Sequence, residues 1–173
     1  MLRFLLLFLL CLGVLFVLDV LPPVEQAVIV PFTSAIAKVC VTIVGVFDHD
    51  AVAYGKELHS VKNSFAISIE RGCNGVEAVI VLISAILAFP APWKHKLAGI
   101  GIGFVAIQSV NLVRIISLFY LGQWNLSWFE LFHKYIWQAL IMLDALIVFL
   151  LWLRYLPRPM QRLDMQTPGH AAA

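Results

Sequence analysis

Four long apolar stretches constrain this chain more than any other feature of its sequence. They cover residues 4–21, 75–89, 97–121 and 135–153. About 20 apolar residues in a helix cross the roughly 30 Å of hydrocarbon in a bilayer. We therefore predict an all-α integral membrane protein with about four transmembrane helices. The first stretch resembles a signal peptide but is followed by no small-residue cleavage site, which favours a retained anchor.

The composition agrees with this class and excludes others. Of the 173 residues, 62% are apolar and 13% are charged, whereas a soluble chain is about half apolar and about a quarter charged. A soluble domain is therefore excluded, and disordered, coiled-coil or nucleic-acid-binding chains need more charge. The three cysteines form no CxxC pair, and no histidines have ligand spacing. We predict no disulfide framework, no metal and no cofactor.

The segment 27–47 is apolar enough to span a bilayer, but its pattern favours another position. It contains Pro31, and its polar or small residues recur on one helical stripe. They are Ser34, Lys38, Thr42 and Gly45. A helix with one polar stripe is typical of the membrane interface. We predict that this helix lies on the outer surface, with partial insertion as the alternative.

The positions of the basic residues set the orientation of the chain. The short loop with Lys94 and Lys96 and the tail with Arg158 should be cytoplasmic, because short cytoplasmic loops are rich in lysine and arginine. Four spans place the basic loop and the basic tail on the same side of the membrane as the amino terminus. A fifth span over residues 27–47 would separate them from it. The predicted regions are a membrane anchor over 1–21, an extracytoplasmic segment over 22–72, a three-helix core over 73–156 and a disordered cytoplasmic tail over 157–173.

Two short runs inside the outer segment have the pattern of strands. Residues 64–69 alternate apolar and polar side chains, and residues 51–54 form a second run. Such alternation is typical of a half-buried strand. We predict a small hairpin that turns over residues 55–63.

Cys73, Arg114 and His133 lie at a similar depth although they come from three different predicted helices. With a rise of about 1.5 Å per residue, they lie about 24, 26 and 30 Å from the inner ends of those helices. Ionisable groups at membrane helices are functional candidates by default. The alternatives are a packing cysteine, an arginine that extends to the headgroups and a histidine of the interfacial aromatic belt.

Further polar residues near these three are supporting candidates. They are Glu70, Asn74, Glu77 and Asn111. Cys73 lies between two glycines where a helix should begin, and the amino terminus of a helix favours a thiolate. Glu77 lies one turn further on, where it could orient a neighbour or pair with Arg114. Asp144 shares a helix face with His133, and its partner stays open.

A thiol, a guanidinium and an imidazole at one depth form a set suited to acyl transfer. A thiolate attacks a carbonyl, an imidazole moves the protons and a fixed cation stabilises the oxyanion. A non-enzymatic transporter subunit or assembly scaffold, with Arg114 and Glu77 as a structural pair, is the alternative. A transport path should show polar residues through the midplane, whereas polarity here collects at the outer edge.

Three motifs together resemble a known family. They are ERGCNG around Cys73, NLVRI around Arg114 and His133 before the last helix. In this order and topology they resemble the exosortase/archaeosortase family, most closely its compact exosortase H type. The resemblance implies catalytic roles for Cys73 and Arg114, with His133 as the third member.

The resemblance also implies a function and a location. Members are membrane-embedded cysteine transpeptidases that cleave a carboxy-terminal sorting signal, which consists of a short motif, one membrane helix and a basic tail. The implied substrates are membrane-anchored exported proteins, transferred to an acceptor that the sequence does not identify. The implied site faces outward from the bacterial inner membrane. Neither the sorting motif nor the oligomeric state follows from the sequence.

Overall fold

The computed structural model describes residues 2–156, so the predicted tail over 157–173 lies outside the described residues. The elements in chain order are helix α1 (Leu2–Val20), helix α2 (Pro22–Phe47), strands β1 (Ala51–Tyr54), β2 (Glu57–Ser60) and β3 (Ala66–Ser68), and helices α3 (Val76–Ala88), α4 (Trp93–Trp124) and α5 (Leu126–Tyr155). This architecture confirms the predicted helical membrane fold.

Within residues 2–156, four helices are long and apolar enough to cross a membrane, but they are not the four that the sequence suggested. They are α1, α2, α4 and α5. Helix α3 has only 13 residues, which at about 1.5 Å per residue is roughly 20 Å. Helix α2 qualifies by length and composition, although its polar stripe predicted an interfacial helix.

The packing of α2 shows how it runs along α4. The Phe32 ring lies 6.0 Å from that of Phe104, about a third of the way along α4. Further along α2, Cys40 shares a buried cluster with Ile115 and Phe119 in the outer part of α4. Helix α2 therefore runs in the same direction as α4. Lys38 on the predicted polar stripe is exposed. The interfacial position of α2 stays a prediction.

The segment between α2 and α3 holds a three-stranded antiparallel sheet in the order β1, β2, β3. We predicted a turn over residues 55–63, and the structure places strand β2 within that range. The turn between β1 and β2 includes Gly55 at φ 59°. Leu58 is the one buried side chain of β2, so its sequence lacks the apolar alternation by which we identified the other strands.

Helices α3, α4 and α5 pack around a second buried cluster, and α1 packs against α3. The cluster includes Leu82, Ile107 and Ile141. Gly103 lets α4 approach Leu82 of α3 closely. The indole N–H of Trp152 donates to the backbone oxygen of His95 at 2.9 Å, which joins α5 to the inner end of α4. This core fixes the relative positions of the three helices that carry the predicted site.

Candidate active site

Cys73 lies in a tight loop between the sheet and α3. Gly72 and Gly75 both have positive φ, 78° and 76°, a conformation that favours glycine. The backbone N–H of Cys73 donates to the backbone carbonyl oxygen of Glu70 at 3.0 Å. Because α3 begins at Val76, Cys73 precedes the helix by three residues. The predicted position at the helix amino terminus is therefore corrected to the loop before it.

Gly75 lets this loop lie directly on α4. A Cβ at Gly75 would lie 2.9 Å from Nε2 of Gln108 and 3.2 Å from the side chain of Asn111. The same Gln108 Nε2 donates to the backbone oxygen of Asn74 at 3.2 Å. Contacts of Gly75 and Asn74 therefore join the cysteine loop to the helix that carries Arg114.

Arg114 presents its guanidinium to the cysteine. One terminal nitrogen lies 3.6 Å from Sγ of Cys73, and the residue is 1% exposed. Its Nε and its other terminal nitrogen have no hydrogen-bond partner among the described residues. Unpaired N–H groups in a buried cation are unfavourable. Arg114 thus places one terminal nitrogen beside the thiol and has two other donors without a partner among the described residues.

His133 contacts the same sulfur from α5. Its Nδ1 and Nε2 lie 3.8 and 3.9 Å from Sγ of Cys73. The ring is stacked on Phe129, with centroids 5.5 Å apart and planes 3° from parallel. His133 lies in a π-helical turn, Phe132–Ile136, a feature often found at functional sites. The structure therefore brings all three predicted residues into contact.

Burial raises the pKa of the Cys73 thiol. The Arg114 charge acts in the opposite direction, whereas the carboxylates of Glu77 and Glu70 add to the increase. We predicted that a helix amino terminus would favour the thiolate and so lower the pKa of Cys73, and the direction of the shift is the reverse. Desolvation is larger than the effect of Arg114. The thiol is therefore protonated at rest, and a reaction at sulfur requires a base.

The supporting candidates mostly hold the loop in place. A carboxylate oxygen of Glu77 accepts from the Gly72 N–H at 2.6 Å. Asn74 is buried, and its amide donates to the Thr33 hydroxyl at 3.3 Å. The ion pairs among residues 2–156 do not include the predicted alternative of Glu77 with Arg114.

Glu70 and Asn111 differ in their surroundings. The exposed Glu70 carboxylate accepts hydrogen bonds from the Lys56 ammonium and from the Ser68 hydroxyl. Both hydrogen bonds lower the pKa of the Glu70 carboxyl. Asn111 is fully buried and donates to Gln108 at 3.4 Å. Its Oδ1 has no hydrogen-bond partner in the described part of the chain.

Several contributors to the site were not among the sequence candidates. Phe129 lies four residues before His133, a spacing that places both on one helix face. No sequence pattern pointed to Thr33, because its hydrogen bond with Asn74 joins residues that lie far apart in the chain. Arg71 pairs with Glu25 of α2 at 2.6 Å and adds a further anchor for the loop.

A small, narrow pocket of about 30 Å³ lies beside the thiol. Its walls come from the sheet, the cysteine loop, α4 and α5. They are Ile67, Ser68, Ile69, Cys73, Arg114, Ile115, Leu118, Phe129 and His133. Within residues 2–156, no group of three His, Cys, Asp or Glu side chains is placed to hold a metal ion.

The family model described as transmembrane exosortase matches residues 2–155, nearly the whole chain. The chain belongs to the exosortase family. This match confirms the resemblance of the three motifs and makes the protein a multi-pass membrane enzyme of the exosortase type, which acts in protein sorting. No curated protein and no solved structure shows significant similarity to it.

Proposed function

We propose that this exosortase is a cysteine peptidase and transpeptidase that cleaves the carboxy-terminal sorting signal of membrane-anchored exported proteins. The contact of one thiol with both an imidazole and a guanidinium is the observation that carries the proposal. Sγ of Cys73 lies 3.6 Å from Arg114 and 3.8 Å from His133. Thiol, base and cation are the groups that acyl transfer requires.

The first half of the reaction forms a thioester. His133 takes the proton of the Cys73 thiol as the sulfur attacks the scissile carbonyl, since the raised thiol pKa leaves little thiolate at rest. The tetrahedral intermediate then collapses, the C–N bond breaks and His133 gives the proton to the leaving amine. The membrane helix and basic tail of the signal leave with that amine.

The second half transfers the product. An acceptor nucleophile attacks the thioester carbonyl, His133 removes its proton, and the C–S bond breaks. Cys73 regains its proton. Water in place of the acceptor gives hydrolysis by the same steps. The acceptor's identity does not alter the roles of the residues.

The free donors of Arg114 suit the oxyanion. Its Nε and one terminal nitrogen have no partner among residues 2–156, and developing negative charge on the carbonyl oxygen would supply one. A donor that is buried and already in place stabilises the transition state without reorganisation. Asn111, one turn before Arg114 on α4, is the neighbouring buried amide.

The location that we propose is the bacterial inner membrane, with the pocket facing outward. The sheet covers the pocket, and the loop with Lys94 and Lys96 lies at the opposite end of α4. A substrate anchored in the same bilayer would enter laterally between helices. This orientation places the scissile bond on the side to which exported proteins are delivered.

The experiment is a processing assay in the source organism. The reporter is an exported protein to which we fuse the carboxy terminus of a native protein that ends in a motif, one apolar helix and a basic tail. Cys73→Ala should abolish processing with little change in expression. Cys11→Ala is the matched control, since Cys11 lies on α1 away from the pocket, and it should process normally. Substantial cleavage by the Cys73→Ala protein would contradict the proposal.

A further inference from the structure

Strand β3 presents a free edge beside the pocket. In its ladder with β2, Ser60 N–H donates to Phe65 and Ile69 N–H donates to Lys56. Antiparallel strands bond through alternate residues, so Phe65, Ile67 and Ile69 direct their backbone groups toward β2. Ala66 and Ser68 therefore direct their N–H and C=O groups away from the sheet.

These backbone groups are accessible. Ala66 and Ser68 are both exposed. The hydrogen bonds among residues 2–156 include none to their backbone atoms outside the sheet. A row of free N–H and C=O groups at a sheet edge is a template for another extended chain.

The free edge is continuous with the catalytic pocket. Ser68 and the adjacent Ile67 and Ile69 line the same pocket as Cys73 and His133. Only four residues separate Ser68 from Cys73 along the chain. A peptide paired with this edge would have its backbone at the mouth of the pocket.

Side-chain contacts lie at both ends of β2, the strand that pairs with β3. The buried Asp50 carboxylate accepts from the Ser60 hydroxyl and the Lys62 N–H, at 2.9 and 2.8 Å. At the far end of the strand, Lys56 pairs with Glu70 at 2.7 Å. A template fixed before binding avoids the entropy loss of ordering it on association.

We propose that the extended motif of the sorting signal binds by strand addition to the free edge of β3, through the backbone groups of Ala66 and Ser68. This inference rests on the proposed function and deepens it, because it assigns how the substrate is recognised. Backbone pairing supplies affinity for an extended peptide, and side-chain pockets supply specificity. The motif would leave the edge toward Cys73, where its next peptide bond meets the thiol.

The first test removes one backbone donor. Ser68→Pro deletes the outward N–H and leaves the β2 ladder intact, because proline is tolerated at a sheet edge where its nitrogen faces outward. We expect processing of the reporter to fall about two- to tenfold, the effect of a lost hydrogen bond. Ser68→Ala, which keeps the N–H, should process the reporter several times faster than Ser68→Pro.

Ala51→Pro is the matched control on the opposite edge of the sheet. Ala51 is the first residue of β1. The preceding Asp50 accepts a backbone hydrogen bond from Val61 in the ladder with β2. Because ladder bonds alternate along a strand, the N–H of Ala51 faces away from β2. Processing should stay near the wild-type rate. Thermal unfolding and the rate of Cys73 alkylation, measured for both variants, separate loss of binding from loss of fold.

A second measurement does not depend on how Ser68→Pro folds. The Cys73→Ala protein in nanodiscs, with excess purified reporter, is followed by hydrogen exchange at the amides of Ala66 and Ser68. Both should become protected when the reporter is bound, whereas the amides of β1 should not change.

The outcomes separate the inference from the proposed function. Protection at Ala66 and Ser68, with impaired Ser68→Pro, supports strand addition. Reporter binding without protection, or wild-type processing by Ser68→Pro, overturns it while Cys73-dependent cleavage still stands. Protection together with cleavage that does not require Cys73 would overturn the catalytic proposal and leave strand addition in place.

Discussion

Arg114 is the side chain whose role depends most on geometry. If its spare N–H groups bind the oxyanion, Arg114→Lys should keep the charge and lose activity, because an ammonium lacks the fixed fork of a guanidinium. The loss of one such donor costs about 10²–10³ in rate. Single-turnover processing of the reporter measures it. Near-normal turnover by Arg114→Lys would show that Arg114 supplies only charge.

The protonation state of Cys73 gives a prediction about pH. Burial raises the pKa of the thiol, so the thiolate fraction, and with it the rate of alkylation by iodoacetamide, should keep rising with pH above the ordinary thiol range near 8.5. Arg114→Gln removes the charge that opposes this increase, so its alkylation should be slower than wild type at each pH. A wild-type rate that is already constant below pH 7 would contradict the account.

Part of the site was predictable from single residues, and part was not. The common depth of Cys73, Arg114 and His133 follows from helix rise alone, and the structure brings them together. The direction of the Cys73 pKa did not follow, because it depends on how deeply the fold buries the thiol. Asn74 was a candidate, but its partner Thr33 lies on α2, and no sequence spacing links the two.

Among the elements, the loop before α3 has the strictest backbone requirement. Gly75→Ala should destabilise the protein by about 1–2 kcal/mol from its positive φ alone, and by more because the new Cβ would press on Gln108 and Asn111. Thermal unfolding in detergent measures the loss, and the rate of Cys73 alkylation reports displacement of the loop.

Gly72→Ala is the matched control for that substitution. Gly72 has nearly the same φ, 78°, and its added Cβ would meet no described atom within 4 Å. Gly72→Ala should therefore lower the stability only by the cost of the positive φ, about 1–2 kcal/mol. Equal destabilisation by the two substitutions would contradict a close contact between the loop and α4.

The sheet shows why elements of mixed sequence are hard to predict. The alternation in residues 64–69 identified β3, and residues 51–54 match β1. Strand β2 has the sequence ELHS, with Leu58 alone buried, so pairing with its two neighbours holds it in place. Likewise, the composition of α2 does not distinguish a spanning helix from an interfacial one.

For the whole molecule, the central prediction is the orientation of the chain. The proposed orientation places the sheet on the outer face. In a variant without the native cysteines, a single cysteine at position 56 should therefore react with a membrane-impermeant reagent added outside intact cells. A cysteine at Lys94 should react only after permeabilisation, since short basic loops stay cytoplasmic. Labelling of position 56 from the cytoplasmic side alone would contradict both the topology and the outward-facing pocket.

Covalent catalysis by Cys73 is the claim on which the mechanism depends, and trapping the acyl-enzyme tests it most directly. The purified protein is quenched in acid during reaction with the reporter, and the Cys73 peptide is examined by mass spectrometry with and without hydroxylamine. The account predicts a hydroxylamine-sensitive adduct on Cys73, scarcely formed in Arg114→Lys. Rapid cleavage of the reporter with no adduct on Cys73 at any time, or an adduct on another residue, would contradict it.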